Sequence, residues 1–406
     1  MRYSLSFHGF FSVYLGPSRH HFTVYTRTLH VSGLSAYLLI KAAPSLRLRP
    51  LEREASTTNR APDITATIAR QDTHTYTCGI RAAGMSSGVA LTVPMPGKPY
   101  PTVGLGTFTI FAKTGGADEV CNAVKFAISE GYRHVDCALV YDNEKAVGDG
   151  IKAKIDDGTI TRNDVYLTTK LWDTHHNPDH VEGALRKSLR SLQTDYVDLF
   201  LVHWPFAFKD GDDPFPKDAD GNIIFADHDY VDTWKAMEKL VGAGLAKAIG
   251  ISNFNKKQIE RVLEVATIKP ANIQIESHPY FLNDRLVTFC KQHGMTATAY
   301  APLANPSRTW KSPDEPIIFD EQVLKDISAA KGKSIAQVVL RFHLQRGLVV
   351  IPKSITPARI KENLQLYDFD LSESEMQQIA GLDRNLRFFK EGMAASHKYY
   401  GFHDEF

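Results

Sequence analysis

Asp136, Tyr141, Lys170 and His203 are the residue types that hydride transfer to a carbonyl group demands. Reducing C=O creates an alkoxide that needs a proton at once, and Tyr141 can donate it. A free phenol titrates near about 10, too high for efficient exchange at neutrality, so an adjacent ammonium such as Lys170 is expected to lower it. Asp136 would keep Lys170 charged and oriented, while His203 would hydrogen-bond the carbonyl oxygen and polarise it. No metal is required. Taken singly, each residue has an ordinary reading as a cap, a half-buried ring, a strand-end histidine or a solvated charge. Only the reaction requires all four together.

These residues need elements that bring them to one place. From about Leu91 onward, short apolar strands alternate with helical patterns, the signature of parallel βαβ units. Strands are expected at 133–136, 165–170, 196–203, 246–252, 271–276, 295–299 and 348–351. Between them, Val120, Ala123, Val124, Ala127 and Ile128 share one helical face, and Val181, Ala184, Leu185, Leu189 and Leu192 another. The segment Val93 to Thr107, with Pro94, Pro96, Gly97 and Pro99, suits a hairpin with turns. About eight units in an uninterrupted series predict an α/β fold of the (β/α)8 TIM-barrel type, with an N-terminal β-hairpin and a long C-terminal loop. In such a barrel Asp136, Lys170 and His203 end three consecutive strands, and Tyr141 follows the first, so all four face one mouth.

The chain has 406 residues, 43% of them hydrophobic, and a formal net charge of +1. That balance gives no field favouring nucleic acid or an anionic membrane, so a small-molecule partner is expected. Cys78, Cys121, Cys137 and Cys290 have no CxxC spacing, against a disulfide framework or zinc site. No run reaches the roughly 18 apolar residues that span a bilayer. Residues 1–90 read differently: Met1 to Leu51 carries no acidic residue, while Arg2, Arg19, Arg27, Lys41, Arg47 and Arg49 are interspersed with Ser, Tyr and Phe. This is the composition of a transit peptide, or else of a disordered leader or an extension preceding a start at Met85. The catalytic domain is placed at 91–406, as a monomer in the cytoplasm, or in mitochondria if the leader is an import signal.

Hydride needs a carrier, yet no GxGxxG fingerprint opens a βαβ unit: Gly104-Leu-Gly106 lacks the third glycine, and Gly148-Asp-Gly150 lies within a helical pattern. No Rossmann domain is expected. A phosphate site is expected instead where Lys353 and Ser354 precede Thr356-Pro357, a helix opening, with Arg359 in the first turn.

At this point the motifs become specific. Gly131-Tyr-Arg-His-Val-Asp-Cys-Ala-Leu-Val-Tyr-Asp-Asn-Glu, Leu167-Thr-Thr-Lys-Leu-Trp and Val197-Asp-Leu-Phe-Leu-Val-His-Trp-Pro resemble the aldo-keto reductase segments that hold the catalytic Asp and Tyr, Lys, and His. Similarity continues through Gly250-Ile-Ser-Asn-Phe, Ala299-Tyr-Ala-Pro-Leu and Ile351-Pro-Lys-Ser-Ile-Thr-Pro, covering about Val93 to Phe406. The resemblance, which is close to animal aldose and aldehyde reductases, implies NADPH as cofactor and assigns Lys353, Ser354, Thr356 and Arg359 to its 2′-phosphate and ribose, and Glu362 and Asn363 to its adenine. It gives Ser252, Asn253 and Gln274 to the carboxamide, Tyr300 to stacking on the nicotinamide, and Gly106, Thr107 and Leu303 to further cofactor contacts. Phe108, Trp172, Trp204 and Trp310 would line an apolar substrate pocket, rimmed by part of the tail from Ser396. Phe108, Leu139 and Ser277 stand where many relatives carry Trp, His and Cys, which leaves the substrate open. Within the same resemblance, a barrel kept as an NADP-binding regulatory subunit and an enzyme running mainly towards oxidation are the rival readings.

Overall fold

The computed structural model describes residues 91–108, 116–306 and 308–404, together with four short strands ahead of them. The chain divides into two units, Met1–Met85 and Ser86–Phe406. In the first, β1 (Phe11–Ser12) pairs antiparallel with β2 (Thr23–Val24), and β3 (Ile64–Ala69) with β4 (Thr75–Ile80). The leader or transit-peptide reading of residues 1–90, and the side chain of Cys78, otherwise lie outside the described residues.

The second unit opens with an antiparallel hairpin, β5 (Thr92–Val93) and β6 (Tyr100–Pro101). The alternating series follows: β7 (Leu105–Gly106), α1 (Gly116–Ser129), β8 (His134–Asp136), α2 (Glu144–Asp156), β9 (Tyr166–Leu171), α3 (Pro178–Leu192) and β10 (Val197–Val202). It continues through α4 (Tyr230–Gly242), β11 (Ala246–Ser252), α5 (Lys256–Val265), β12 (Asn272–Glu276), α6 (Asp284–Gln292) and β13 (Thr296–Tyr300). The last elements are α7 (Gln322–Lys331), α8 (Ile335–Gln345), β14 (Val349–Val350), α9 (Pro357–Glu362) and α10 (Glu373–Ala380). Strands β7 to β14 form one 8-stranded sheet in chain order, with every pair parallel. Val103 bridges Val350 and Gly106 bridges Lys353, both parallel, and the Gly104 N–H donates to the Val350 carbonyl at 2.8 Å. The sheet therefore closes on itself as a (β/α)8 barrel.

The helices start where local chemistry lets them. α3 opens on Asn177, whose side chain accepts from the Asp179 N–H at 3.1 Å, with Pro178 in the first turn. The predicted stripes of α1 and α3 are buried, and they pack with the outward strand residues Val135, Leu167, Phe200, Ile249 and Ile275 in the main core. The alternate residues point inward. Tyr166, Leu199, Leu201, Ala248 and Val349 form a separate cluster with Tyr100 from the hairpin, which closes the amino-terminal end of the barrel. That parity sends Asp136, Lys170, Ser252, Gln274 and Tyr300 inward near the carboxyl ends.

One sequence expectation changes here. Val93 to Thr107 is not hairpin throughout, because its last part, Leu105–Gly106, is the first barrel strand. A two-residue strand carries no apolar run to betray it, and its glycine serves closure: a Cβ on Gly106 would lie 2.6 Å from the Ile351 carbonyl oxygen. Gly148 likewise has a packing role inside α2, where a Cβ would lie 2.6 Å from the Ser191 carbonyl oxygen. No helix among the described residues is long and apolar enough to cross a membrane. Cys121, Cys137 and Cys290 are free thiols.

Candidate active site

At the carboxyl end of the barrel lies a cavity of about 1250 Å³. Beneath it, Lys170 and Asp136 are each about 1% exposed, so water does not screen the pair. The Lys170 ammonium donates to Asp136 Oδ1 at 2.5 Å, to the Cys137 carbonyl at 3.0 Å and to Tyr141 Oη at 3.3 Å. Its three N–H groups thus have three acceptors. Because Tyr141 accepts from Lys170, its own hydrogen stays free to donate elsewhere. Gln274 Nε2 donates to Asp136 Oδ2 at 2.7 Å, so both carboxylate oxygens are held.

Burial alone would lower the Lys170 ammonium, but the Asp136 charge outweighs it and the lysine is raised above its ordinary value. Burial likewise raises the Tyr141 hydroxyl, and here the opposing pull of Lys170 does not win, since Asp136 works against it. The expected net lowering of Tyr141 is therefore corrected. An ammonium already neutralised by its own carboxylate has little field left to offset the cost of burying a phenolate. His203 is held well below the usual histidine range, first by burial and then by Lys170, so its ring is neutral at pH 7. Its Nδ1 is buried without a partner. The ring packs edge-on against Tyr141 at 5.8 Å and Trp172 at 5.3 Å, which joins the three in one wall.

Every residue predicted to touch cofactor or substrate lines this cavity: Gly106, Thr107, Phe108, Trp172, Trp204, Ser252, Asn253, Gln274, Tyr300, Leu303 and Trp310, then Lys353, Ser354, Thr356, Arg359, Glu362 and Asn363. Several already have protein partners. Asn253 Nδ2 donates to the His203 carbonyl at 3.0 Å and to Ser252 Oγ at 3.2 Å, while Asn253 Oδ1 accepts from Tyr300 Oη at 2.8 Å. Asn253 manages this from a left-handed backbone, φ 63°. The Ser252 hydroxyl hydrogen and Gln274 Oε1 are left over, one donor and one acceptor, which is the pair a primary carboxamide needs. At the far end, neither Lys353 nor Arg359 forms an ion pair among the described residues; both are exposed, and the Thr356 N–H caps onto Ser354 Oγ at 3.1 Å. Unengaged cations beside an open cavity suit a phosphate.

A sequence profile of the Aldo/keto reductase family matches residues 102–384. The chain belongs to the aldo/keto reductase family. It is 48% identical over 305 residues to aldo-keto reductase family 1 member A1 of Xenopus tropicalis, covering 75% of this chain and 92% of that one. Against the Homo sapiens protein of the same name the identity is 45% over 293 residues, covering 72% and 89%. The aldose reductase of Schistosoma japonicum shares the fold with a TM-score of 0.71 at 42% identity, covering 76% of this chain and 97% of that structure. This aldo/keto reductase is thus an oxidoreductase acting on carbonyl and alcohol groups.

The sequence reading of the reductase missed one wall of its cavity. The lining includes Leu386, Arg387, Phe388, Phe389, Lys390, Glu391 and Met393, a stretch before the tail that was expected to serve as rim. The tail itself packs behind: Phe402 meets Trp204 at 5.6 Å, and Tyr399 Oη donates to Asp229 at 2.7 Å. The wall is clamped from below by Glu276, a fully buried carboxylate at the end of β12. It accepts from the backbone N–H of Phe388 at 2.7 Å and of Phe389 at 3.0 Å, and it contacts His278 at 2.8 Å. Phe389 then stands edge-on to Tyr300 at 5.4 Å and to Trp310 at 5.4 Å. The adjacent phenylalanines in an otherwise polar, irregular stretch were the available signal.

Proposed function

We propose that this reductase converts aldehydes, and some ketones, to alcohols with NADPH, Tyr141 being the proton donor. The observation that carries the reading is the buried Asp136–Lys170–Tyr141 chain, which ends in a hydroxyl hydrogen with no acceptor among the described residues, beside a neutral His203. When bound, NADPH supplies the hydride. Ser252 and Gln274 would hold its carboxamide, Tyr300 would flank the ring, and Lys353 and Arg359 would take the 2′-phosphate, with Glu362 and Asn363 beside the adenine. Neutral His203 donates a hydrogen bond to the substrate oxygen and fixes it near Tyr141. Tyr141 passes its proton to that oxygen as negative charge develops there, and the Lys170 ammonium stabilises the phenolate left behind. Phe108, Trp172 and Trp204 give the substrate an apolar enclosure and Trp310, 46% exposed, stands at its rim. The enzyme is read as a cytoplasmic monomer, or a mitochondrial one if residues 1–90 act as an import signal. Loss of NADPH absorbance on adding a panel of aldehydes tests the whole reading. Tight NADPH binding without turnover would favour the regulatory-subunit alternative.

The cofactor preference has its own test. NADPH and NADH differ by one phosphate, and a charge-assisted contact contributes about 1.5 to 3 kcal/mol. Arg359 grips phosphate oxygens with a planar fork where Lys353 offers a point charge. Arg359→Met should therefore weaken NADPH about tenfold or more and leave NADH nearly unchanged, as read by fluorescence titration. Equal losses for both would place Arg359 in the fold of α9 instead.

The leader is expected to be dispensable. A chain starting at Met85 should match the full chain in aldehyde turnover and thermal midpoint. A large fall in either would move the start of the catalytic domain upstream.

A further inference from the structure

The helix that brings Arg359, Glu362 and Asn363 to the cavity is too short to hold itself. α9 has six residues, and its N-cap Thr356 makes no side-chain cap bond; an isolated helix of that length is unstable in water. Its last carbonyls must find partners outside it. Three of them take backbone amides from the chain that follows: Arg359 that of Asn363 at 2.9 Å, Lys361 that of Leu364 at 3.3 Å, and Glu362 that of Gln365 at 3.0 Å. The Ile360 carbonyl takes none of these. It accepts from the Tyr132 hydroxyl at 2.9 Å, 228 residues back in the chain.

The way α1 ends places Tyr132 for that bond. Gly131 has a positive φ of 108°, and its N–H and that of Tyr132 turn back to the Ile128 carbonyl at 3.1 Å and the Ala127 carbonyl at 2.9 Å, the paired return bonds of a glycine-closed helix end. All three residues of the turn then meet α9 or its exit. Glu130 pairs with Lys361 at 3.2 Å, and a Cβ on Gly131 would lie 3.6 Å from Leu364 Cδ2. Tyr132, 1% exposed, shares the main core with Ile360. Burial pushes its phenol well above the ordinary value, so the hydrogen stays in place to donate.

We propose that Tyr132 is a positioning residue for the cofactor: by holding the Ile360 carbonyl, its hydroxyl fixes the orientation of α9 and so aims Arg359 at the 2′-phosphate. The inference rests on the NADPH reading above and adds to it a residue that does not line the cavity. Ile360 and Arg359 are neighbours on the helix, one turned into the core and the other exposed at the cavity, so a roll of α9 about its axis moves both together. Without the bond α9 samples other orientations, and NADPH must select the aimed one; its apparent affinity then falls by the fraction of molecules that are competent. NADH has no phosphate for Arg359 to grip and loses less.

The test titrates NADPH and NADH, by protein fluorescence, into the wild type, Tyr132→Phe, Arg359→Met and the double variant. The measured quantity is the NADPH-to-NADH affinity ratio, which is internal to each protein and cancels any loss that the two cofactors share. In Tyr132→Phe the ratio should fall about three- to tenfold, the equivalent of one ordinary hydrogen bond. In the Arg359→Met background the same change should leave the ratio where it was, because no guanidinium remains to be aimed. A ratio unchanged by Tyr132→Phe overturns the proposal, and so does an equal further fall in the Arg359→Met background. The phenyl ring keeps its place in the core, so the variant is expected to fold. Glu130→Gln gives a second reading that leaves Tyr132 intact: it breaks only the pair with Lys361 and should not lower the ratio. A fall as large as that expected of Tyr132→Phe would assign the effect to the docking of the turn and overturn the role of the hydroxyl. A wild type with no preference for NADPH overturns the cofactor reading itself, and this one with it.

Discussion

Tyr141→Phe should fold, bind NADPH with nearly unchanged affinity, and lose about 10² to 10⁴ in kcat, the usual worth of a positioned general acid. The phenyl ring keeps its edge contacts with Phe108 at 5.1 Å and His203 at 5.8 Å, so the cavity wall survives. What disappears is a single hydroxyl, which accepts from the third Lys170 N–H and carries the hydrogen assigned to the substrate. Single-turnover reduction alongside cofactor titration separates the two effects. Near wild-type turnover would show that the proton comes from elsewhere, and His203 would be the next group to examine.

Lys170→Met should do more harm, because it removes one half of a buried ion pair and leaves the other. A lone buried carboxylate at Asp136, kept only by Gln274 at 2.7 Å, is expected to destabilise the fold by about 3 to 5 kcal/mol. Turnover should fall as well, since Tyr141 loses the cation that stabilises its phenolate. The double variant Lys170→Met with Asp136→Asn separates these losses: urea unfolding should recover most of the stability, while turnover stays low. A double variant as unstable as Lys170→Met alone would mean that lost packing around the lysine stem, not the stranded charge, is the cause.

How much of this was legible beforehand varies residue by residue. Asp136, Lys170 and His203 could be found because each ends, or directly follows, one of three consecutive strands, and strand parity in a closed barrel sends such ends to one mouth. Arg359 and Lys353 were legible through the Thr356-Pro357 helix opening beside them. The first barrel strand, Leu105–Gly106, was not, since two residues carry no periodicity. The direction of the Tyr141 shift was not, since a sequence names neighbours but not the depth at which they lie. Nor was the bond from Tyr300 to Asn253 to the His203 carbonyl, which links the ends of β13, β11 and β10 across nearly a hundred residues. Phe388, Phe389 and Glu391 belong to irregular chain, whose course is set by Glu276 rather than by any local pattern.

The Glu276 clamp bears on the order in which the enzyme becomes itself during synthesis. Asp136, Tyr141, Lys170 and His203, Gln274 that holds Asp136, and the Val350 and Lys353 bridges that close the barrel all precede Phe388 in the sequence, so this wall of the cavity is the last part to be made. Until that wall arrives, Glu276 is a carboxylate at the rim of an open barrel. Once Phe388 and Phe389 dock their N–H groups on it, the same carboxylate is sealed in. Changes confined to residues 386–393 would therefore reshape one wall of the cavity while the reacting groups, carried on the barrel strands, stay where they are.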